Sequence, residues 1–234
     1  MSRIASFHLV RGRSAVRTLA HLGSDRVRLR SVDGLAFWRL LGTGRDDDTA
    51  PSADLRRSAL FAVWDDESAL EAFLASHPVP QRWGSAEEAW HVRLRGVGGH
   101  GRWRGVAVLD QLERGSGAGP IAIITRADVR LRSWRRFSAA GRPVSDEVRS
   151  AAGLLAVVGI GEAPVGRLGT FSLWRTLDDA RSFASSMPHH RDVVARTRAE
   201  RWYGEELFAR FEPYAASGSW GGRDPLADVA RHDG

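Results

Sequence analysis

The chain of 234 residues contains no cysteine. Disulfide bonds, thiolate catalysis and thiolate ligation of a metal or haem are therefore excluded. Long apolar segments are also missing, because the longest run, residues 153–161, is too short to span a bilayer. The N-terminus shows no apolar core after a basic start, as a secretory signal would. From these absences we expect a cytoplasmic protein.

Lysine is absent too, so all 34 basic residues are arginines, and the net charge is +6. The arginines are spread along the chain, often beside Asp or Glu, which predicts no nucleic-acid partner. A weak attraction to an anionic lipid surface, and hence a peripheral membrane contact, fits this charge better. GxSxG, HExxH and CxxC motifs are missing, so nothing indicates a hydrolase or a zinc enzyme. The glycine pairs at residues 42–44 and 159–161 are not phosphate loops, because no GxGxxG pattern follows them and no helix signal begins directly after them, and no nicotinamide or flavin motif is recognised.

The two halves of the chain repeat one plan at an offset of about 110 residues or slightly more. Residues 60–64 match residues 170–174, and residues 34–44 match residues 153–161. Each half reads as β-α-β-β-α-β, the ferredoxin-like unit. The predicted fold class is α+β, with two tandem ferredoxin-like units, residues 1–114 and 115–234. Their antiparallel sheets are expected to pack face to face as a dimeric-α+β-barrel-type fold within one chain.

Local patterns predict individual elements of this plan. Apolar spacing indicates a helix over residues 13–22, and an apolar run indicates a strand over residues 58–64. Asp65 or Asp66 is expected to cap the helix that follows. Gly204 is expected to end a helix that begins near Pro188.

This last helix carries the most suggestive pattern in the chain. Helical spacing places Val194, Thr197 and Arg201 on the same side as His190. An imidazole over an apolar face, with a guanidinium further along for acidic side chains, could hold an iron porphyrin, but an ordinary packed helix fits equally. The neighbouring His189 points about 100° away. The matching part of the first half has no such histidines, which favours a single functional pocket in the second half.

An arginine, a histidine and four tryptophans also suggest roles. Arg39 interrupts an apolar strand, so it lies at a strand end or points into the barrel as a polar group above haem, where it could hold bound oxygen. His100 lies among glycines, in a ligand-approach turn or simply a turn. Tryptophans at matching positions of the repeat are expected to be core residues. They are Trp38, Trp64, Trp174 and Trp202.

Several motifs of the chain resemble those of the spheroidene monooxygenase family of bacterial carotenoid-ketolating enzymes. The motifs are residues 37–44 (FWRLLGTG), 52–57 (SADLRR), 59–66 (ALFAVWDD), 159–164 (GIGEAP), 170–174 (TFSLW) and 202–211 (WYGEELFARF). The resemblance covers residues 4–226 and implies a haem-containing oxygenase of the dimeric α+β barrel superfamily. It implies oxygen chemistry on an acyclic carotenoid, with His190 as proximal ligand of the iron of haem b.

The predicted function is a haem-dependent monooxygenase that hydroxylates or ketolates an apolar isoprenoid or carotenoid-like substrate. Arg39 is the candidate catalytic residue. His190 is the candidate metal ligand, and Val194, Thr197 and Arg201 are further cofactor-binding candidates. Electrons are expected from a separate donor, or oxidising equivalents from peroxide. The alternatives are a haem-dependent peroxidase, dehydratase or oxidase of a secondary metabolite, and a non-catalytic small-molecule-binding barrel.

Overall fold

A computed structural model describes residues 2–44, 53–136, 147–163, 166–186, 196–197, 199–200, 202–227 and 229. Within this part of the chain, the first-half strands are β1 (Ile4–Arg11), β2 (Leu35–Gly44), β3 (Ala53–Trp64) and β4 (Glu88–Gly101). The second-half strands are β5 (Ile121–Val129), β6 (Leu154–Gly161), β7 (Arg167–Trp174) and β8 (Tyr203–Gly218). The main helices are α1 (Ala15–Arg28), α2 (Glu67–Ser76), the short α3 (Pro78–Gln81) and α4 (Leu177–Ser186).

Side-chain caps fix where the first two helices begin. The Ser14 hydroxyl accepts a hydrogen bond from the Arg17 N–H at 3.5 Å at the start of α1. The Asp66 carboxylate accepts one from the Ala69 N–H at 2.9 Å at the start of α2. Both caps satisfy amide groups that have no partner within the helix. Of the two expected capping residues of α2, Asp66 is therefore the one used.

The eight strands form one closed barrel in the order β1-β3-β2-β6-β7-β5-β8-β4, with every pair antiparallel. The predicted fold class is confirmed, but the sheets do not simply face each other. They join edge to edge, because free strand edges would leave backbone hydrogen-bonding groups unpaired. One seam is the long β4–β8 pairing. The other, β2–β6, consists of Gly42 opposite Gly161 and Thr43 opposite Ile160.

The internal repeat is visible in the strand register. Ile4 of β1 lies opposite Trp64 of β3, and Ile121 of β5 lies opposite Trp174 of β7. Each tryptophan also donates its indole N–H to a nearby serine hydroxyl, Ser6 at 2.8 Å in the first half and Ser172 at 2.9 Å in the second. The isoleucines and tryptophans therefore occupy equivalent positions, whereas the serine lies on β1 in the first half and on β7 in the second.

Aromatic side chains fill the barrel interior from both halves. The rings of Phe7 and Phe171 stack with centroids 3.9 Å apart, and those of Phe61 and Trp103 stack at 5.2 Å. All four side chains are buried in one apolar cluster. Trp64, Trp174 and Trp202 are buried as expected, whereas Trp38 is only half-buried. A second cluster packs α2 on the first-half sheet, and a third packs α4 on the second-half sheet.

Several predicted boundaries were wrong. The helix expected over residues 13–22 extends to Arg28, and the strand expected from residue 58 begins at Ala53. Gly204 does not end a helix but lies near the start of β8. The predicted helix start at Pro188 lies outside the described residues. Among the described helices, none has the length and apolar character needed to cross a membrane.

Candidate functional site

The outer faces of the two half-barrels differ at equivalent positions. The first-half row is the set of outward residues Leu40, Leu60, His8 and His91, which lie side by side across β2, β3, β1 and β4. The second-half row is its counterpart Gly159, Thr170, Thr125 and Phe208, across β6, β7, β5 and β8. Inward neighbours such as Phe7 and Ile124 belong to the barrel core, so both rows face outwards.

The first-half row is covered, although a cavity of about 180 Å³ remains between it and α1, bordered by His8, Leu40 and Leu60. Leu40 and Leu60 pack with residues of α2, and His8 is buried beside the ring of Trp83. In the second-half row, Thr125 is exposed and Thr170 is only partly buried. Three of the four side chains in the second-half row are thus smaller than their first-half counterparts, and Phe208 is the exception. We call the outer surface around Thr125 and Thr170 the open face.

One end of the open face is apolar and packed. Ile121, Ile123 and Trp174 form a buried cluster there with Ala180 and Phe183 of α4. On the β8 side, the Phe208 ring stacks against the predicted candidate His100, with centroids 5.8 Å apart. The open face therefore combines an apolar floor with two hydroxyl groups.

The predicted cofactor-binding residues are described only in part. His190, Val194 and Arg201 lie outside the described residues, as does His189. Thr197 is buried, and its carbonyl accepts a hydrogen bond from the Trp202 N–H at 3.1 Å. Their roles at a cofactor site therefore stay predictions.

The predicted catalytic residue Arg39 lies inside the barrel rather than on the open face. Its strand neighbours Phe37 and Leu41 both belong to the core cluster, so the same side of β2 carries Arg39 inwards. The Arg39 guanidinium donates to the Trp38 carbonyl at 2.6 Å and lies over the Phe37 ring at 4.2 Å. Its Nε is 3.6 Å from a carboxylate oxygen of Glu162. Burial lowers the pKa of Arg39, and the Glu162 charge partly opposes that effect.

Arg39 borders a cavity of about 700 Å³ at one end of the barrel. Charged side chains from several strands converge on it, and we call this end the charged mouth. The lining includes Arg26, Arg39, Arg104, Asp128, Glu162, Arg167 and Glu205. A polyene would not be accommodated against such a surface without stripping water from many charges.

One buried arginine holds the charged mouth together. Arg126 of β5 is only 2% exposed. Its guanidinium is 2.6 Å from Glu205, 2.5 Å from Asp128 and 3.3 Å from Glu162. Glu162 also accepts the indole N–H of Trp103 at 2.7 Å. Buried carboxylates need such partners, because their desolvation is otherwise costly.

Glu205 also fixes the turn after β4. The backbone N–H groups of Arg104 and Gly105 donate to its carboxylate at 2.8 and 2.7 Å. Arg104 has a φ of 55°, a left-handed conformation that non-glycine residues rarely adopt. Burial acts to raise the pKa of Glu205, but these two hydrogen bonds and the Arg126 charge outweigh it and hold that pKa below its ordinary value.

The two histidines of the first-half row are engaged with each other. His8 Nδ1 is 3.1 Å from His91 Nδ1, and His8 Nε2 is 2.8 Å from the Ser6 hydroxyl, which accepts the Trp64 indole N–H. One consistent assignment lets Ser6 donate to His8 and His8 donate to His91. Burial, followed by the nearby His91 and Arg93, lowers the pKa of His8 well below its usual value. Burial lowers that of His91 to about 4.

These histidines are therefore structural in this arrangement. Across the residues that the structure describes, no cluster of three or more His, Asp or Glu side chains is arranged to hold a metal ion. A single axial histidine would not form such a cluster.

Sequence reasoning missed the threonines of the open face and the charged mouth. The repeat could have revealed the first, because aligning β1 with β5 sets Thr125 against His8, and aligning β3 with β7 sets Thr170 against Leu60. Strand alternation could have revealed the second. Arg126 follows Ile124 at the inward spacing of two residues.

Solved structures share this architecture at low sequence identity. An aldoxime dehydratase in complex with butyraldoxime aligns with a TM-score of 0.61 and 15% identity, covering 98% of this chain and 86% of that one. A second aldoxime dehydratase aligns with a TM-score of 0.59 and 13% identity, covering 98% of this chain and 88% of that one. These likenesses concern the fold alone, and they identify the class as an α+β barrel of the dimeric type.

Curated relatives are more similar in sequence than these solved structures. The chain is 34% identical over 194 residues to the spheroidene monooxygenase of Rubrivivax gelatinosus, covering 81% of this chain and 73% of the relative. It is 32% identical over 206 residues to that of Rhodobacter capsulatus, covering 87% and 86%. Identity to the Cereibacter sphaeroides protein of the same name is 29% over 213 residues, spanning 66% of that relative. No protein-family model matches the chain.

The chain belongs to the spheroidene monooxygenase family, a family of oxidoreductases. The resemblance stated from the sequence motifs is thereby confirmed.

Replacing Arg126 with methionine should destabilise the protein by about 3–5 kcal/mol. The change leaves Asp128, Glu162 and Glu205 without their shared buried cation. Urea unfolding monitored by tryptophan fluorescence would measure the loss. Arg181→Met is the matched control, because Arg181 pairs with Asp178 on an exposed helix surface and should cost at most about 1 kcal/mol. Equal stabilities of the two variants would contradict the role given to Arg126.

The free energy of unfolding should fall as the pH drops from about 6.5 towards about 4. The folded-state pKa values of His8 and His91 are lowered, so the unfolded chain takes up protons in this window while the folded chain does not. Urea unfolding across this range should show a shallower decline for His91→Gln. His100→Gln, at an exposed position, should follow the wild type. A wild-type slope in His91→Gln would disprove the assignment.

Proposed function

We propose that this chain is a haem-dependent monooxygenase that hydroxylates or ketolates an apolar carotenoid. The observation that carries the proposal is its membership of a family whose curated members are named spheroidene monooxygenase. The open face supports a cofactor site in the second half, since it has smaller side chains at three positions where His8, Leu40 and Leu60 leave only a cavity of about 180 Å³ in the first half. The substrate and the cofactor belong to the proposal.

The described residues fit a planar, largely apolar group on the open face. Gly159, Thr170 and Thr125 offer small side chains where the first half has Leu40, Leu60 and His8. A flat ring system can lie against such a surface without displacing large side chains. In this proposal His190 would hold the iron of haem b, and Arg201 would pair with a propionate. Val194 and Thr197 line the same side of the segment.

Haem, when bound, supplies the activation of dioxygen. One oxygen atom of dioxygen is inserted into a C–H bond of the substrate, and the other is reduced to water. The reduction consumes two electrons and two protons, which a separate donor supplies. With hydrogen peroxide in place of dioxygen, no separate electron donor is needed. In the proposal, Thr125 and Thr170 offer hydrogen bonds to an oxygen-bearing ligand on the open face. The apolar residues around Ile123 and Trp174 would exclude water there.

Arg39 does not lie on the open face. Its guanidinium lies on the interior side of the sheet, next to Glu162, whereas the open face lies outside. In the proposal, the polar contacts on the open face therefore come from Thr125 and Thr170. A catalytic role of Arg39 stays a prediction, and Arg39→Gln, which removes the charge and shortens the side chain but keeps it polar, is the variant that examines it.

A substrate as apolar as a carotenoid resides in a membrane, so the proposal also includes a peripheral contact with a membrane surface. It places the reaction in the cytoplasm.

His190→Ala should remove the Soret band of the purified protein and abolish conversion of a carotenoid substrate. The reason is the loss of the axial imidazole, which fixes iron in place. Absorption spectra and chromatographic analysis of the carotenoid products provide the two measurements. His189→Ala is the control and should keep both properties. An unchanged Soret band in His190→Ala would refute the assignment, whereas a haem protein that converts no carotenoid would favour another haem reaction.

Filling the open face should block haem binding without unfolding the protein. In Thr125→Phe combined with Thr170→Leu, larger side chains occupy the space that the proposal gives to the cofactor. Titration of haem-free protein with hemin should show at least about tenfold weaker binding. Leu55→Phe, an exposed position on β3, adds bulk elsewhere and serves as control. Full haem affinity in the double variant would place the cofactor site elsewhere.

A further inference from the structure

Helix α1 presents an apolar stripe to solvent on the side opposite the sheet. Val16, Leu19 and Val27 are 77%, 49% and 66% exposed. Ala20 and Gly23 are exposed between them. At 100° per residue all five positions fall within about 100° of one another, whereas the buried Thr18 and Asp25 lie on the opposite side. We call these five residues the α1 stripe, which no packing role explains.

Arginines border the α1 stripe on both sides. Arg17 and Arg28 lie on one flank and Arg26 on the other, while Arg13 and Arg30 extend the basic surface at the two ends. All five are exposed. The single acidic residue between positions 13 and 31 is Asp25, which is buried and bound by Arg82 and Arg28. The exposed surface of α1 is therefore apolar in the middle and uniformly positive at its margins.

We propose that α1 docks the protein on an anionic lipid bilayer. An interfacial helix buries an apolar face at the level of the acyl chains while basic flanks contact anionic headgroups, and α1 has this arrangement. The inference deepens the proposed function and rests on it for its purpose, which is access to an apolar substrate. Docking lies in the first half and the candidate reaction site in the second, so the two can be separated experimentally.

A second copy of the chain is a poorer occupant of the same surface. In a symmetric dimer the same patch meets itself, which would bring the arginine flanks of one α1 against those of the other. Like charges at such an interface are unfavourable. Anionic lipid headgroups instead complement every exposed charge that α1 carries.

Vesicle co-sedimentation tests this docking directly. Wild-type protein should bind vesicles of phosphatidylcholine with phosphatidylglycerol, and bind pure phosphatidylcholine vesicles much more weakly. High salt should reduce the binding. The variant Arg13→Gln, Arg17→Gln, Arg30→Gln should partition about a hundredfold less, at about fivefold for each arginine. Arg114→Gln, an exposed site away from α1, is the single-site control and should lose at most about that fivefold.

The α1 stripe is tested by Val16→Gln, Leu19→Gln and Val27→Gln combined, because glutamine keeps helix propensity. This variant should lose vesicle binding and keep the wild-type circular dichroism spectrum. Leu131→Gln, 80% exposed outside α1, should bind like the wild type. Wild-type binding by the stripe variant would overturn the proposal. So would a wild-type dimer in sedimentation velocity that the stripe variant loses, since α1 would then be a self-association surface.

Activity on two substrate preparations distinguishes this inference from the proposed function. The stripe variant should oxidise detergent-solubilised carotenoid at the wild-type rate and vesicle-embedded carotenoid more slowly. If wild-type protein ignores vesicles but oxidises solubilised carotenoid, the docking inference fails and the function stands. If it binds anionic vesicles but oxidises carotenoid in neither form, the function fails and the docking stands.

Discussion

Edge-to-edge hydrogen bonding between two four-stranded sheets is the constraint on which the rest of this molecule depends. Neither sheet can leave its edges free, so β4 pairs with β8 and β2 with β6. Closure gives every strand an inward and an outward side. The inward sides are filled by aromatic rings such as Phe7 and Phe171. Space for a ligand is therefore found at an end of the barrel or outside it, under the helices.

The two halves share one framework of strands but differ in the side chains on their outer faces. Equivalent registers and the equivalent buried tryptophans Trp64 and Trp174 give both halves the same support. On that support the first half carries a row of large side chains with a hydrogen-bonded His8–His91 pair, and the second half carries smaller side chains at three of the four equivalent positions. Two copies that fold alike can thus differ in function, because outward positions contribute little to barrel closure.

Periodicity and internal repetition were enough to predict the fold, since both follow from residue spacing that the barrel requires. Boundaries were less predictable. Gly204 resembles a helix terminator in sequence, but pairing with β5 draws its segment into β8. The charged mouth depends on contacts between residues as distant as Arg126 and Glu205, which no local pattern contains. Two placements were open for Arg39, a strand end or the barrel interior; the structure shows the interior, while its neighbour Glu162 could be found only in three dimensions.

The unequal seams give the barrel a mechanical polarity. The β4–β8 seam runs from Trp90 to Gly101 along one strand, whereas within the described residues the β2–β6 seam pairs only Gly42 and Thr43 of β2. With so few paired residues, the short seam should open locally at a lower free-energy cost than the long one. Arg39 and Glu162 bridge the strands just beyond the short seam, so an ion pair adds to what few amide pairs supply there. Local opening of the barrel is therefore expected first at the β2–β6 seam, next to Arg39 and Glu162 of the charged mouth.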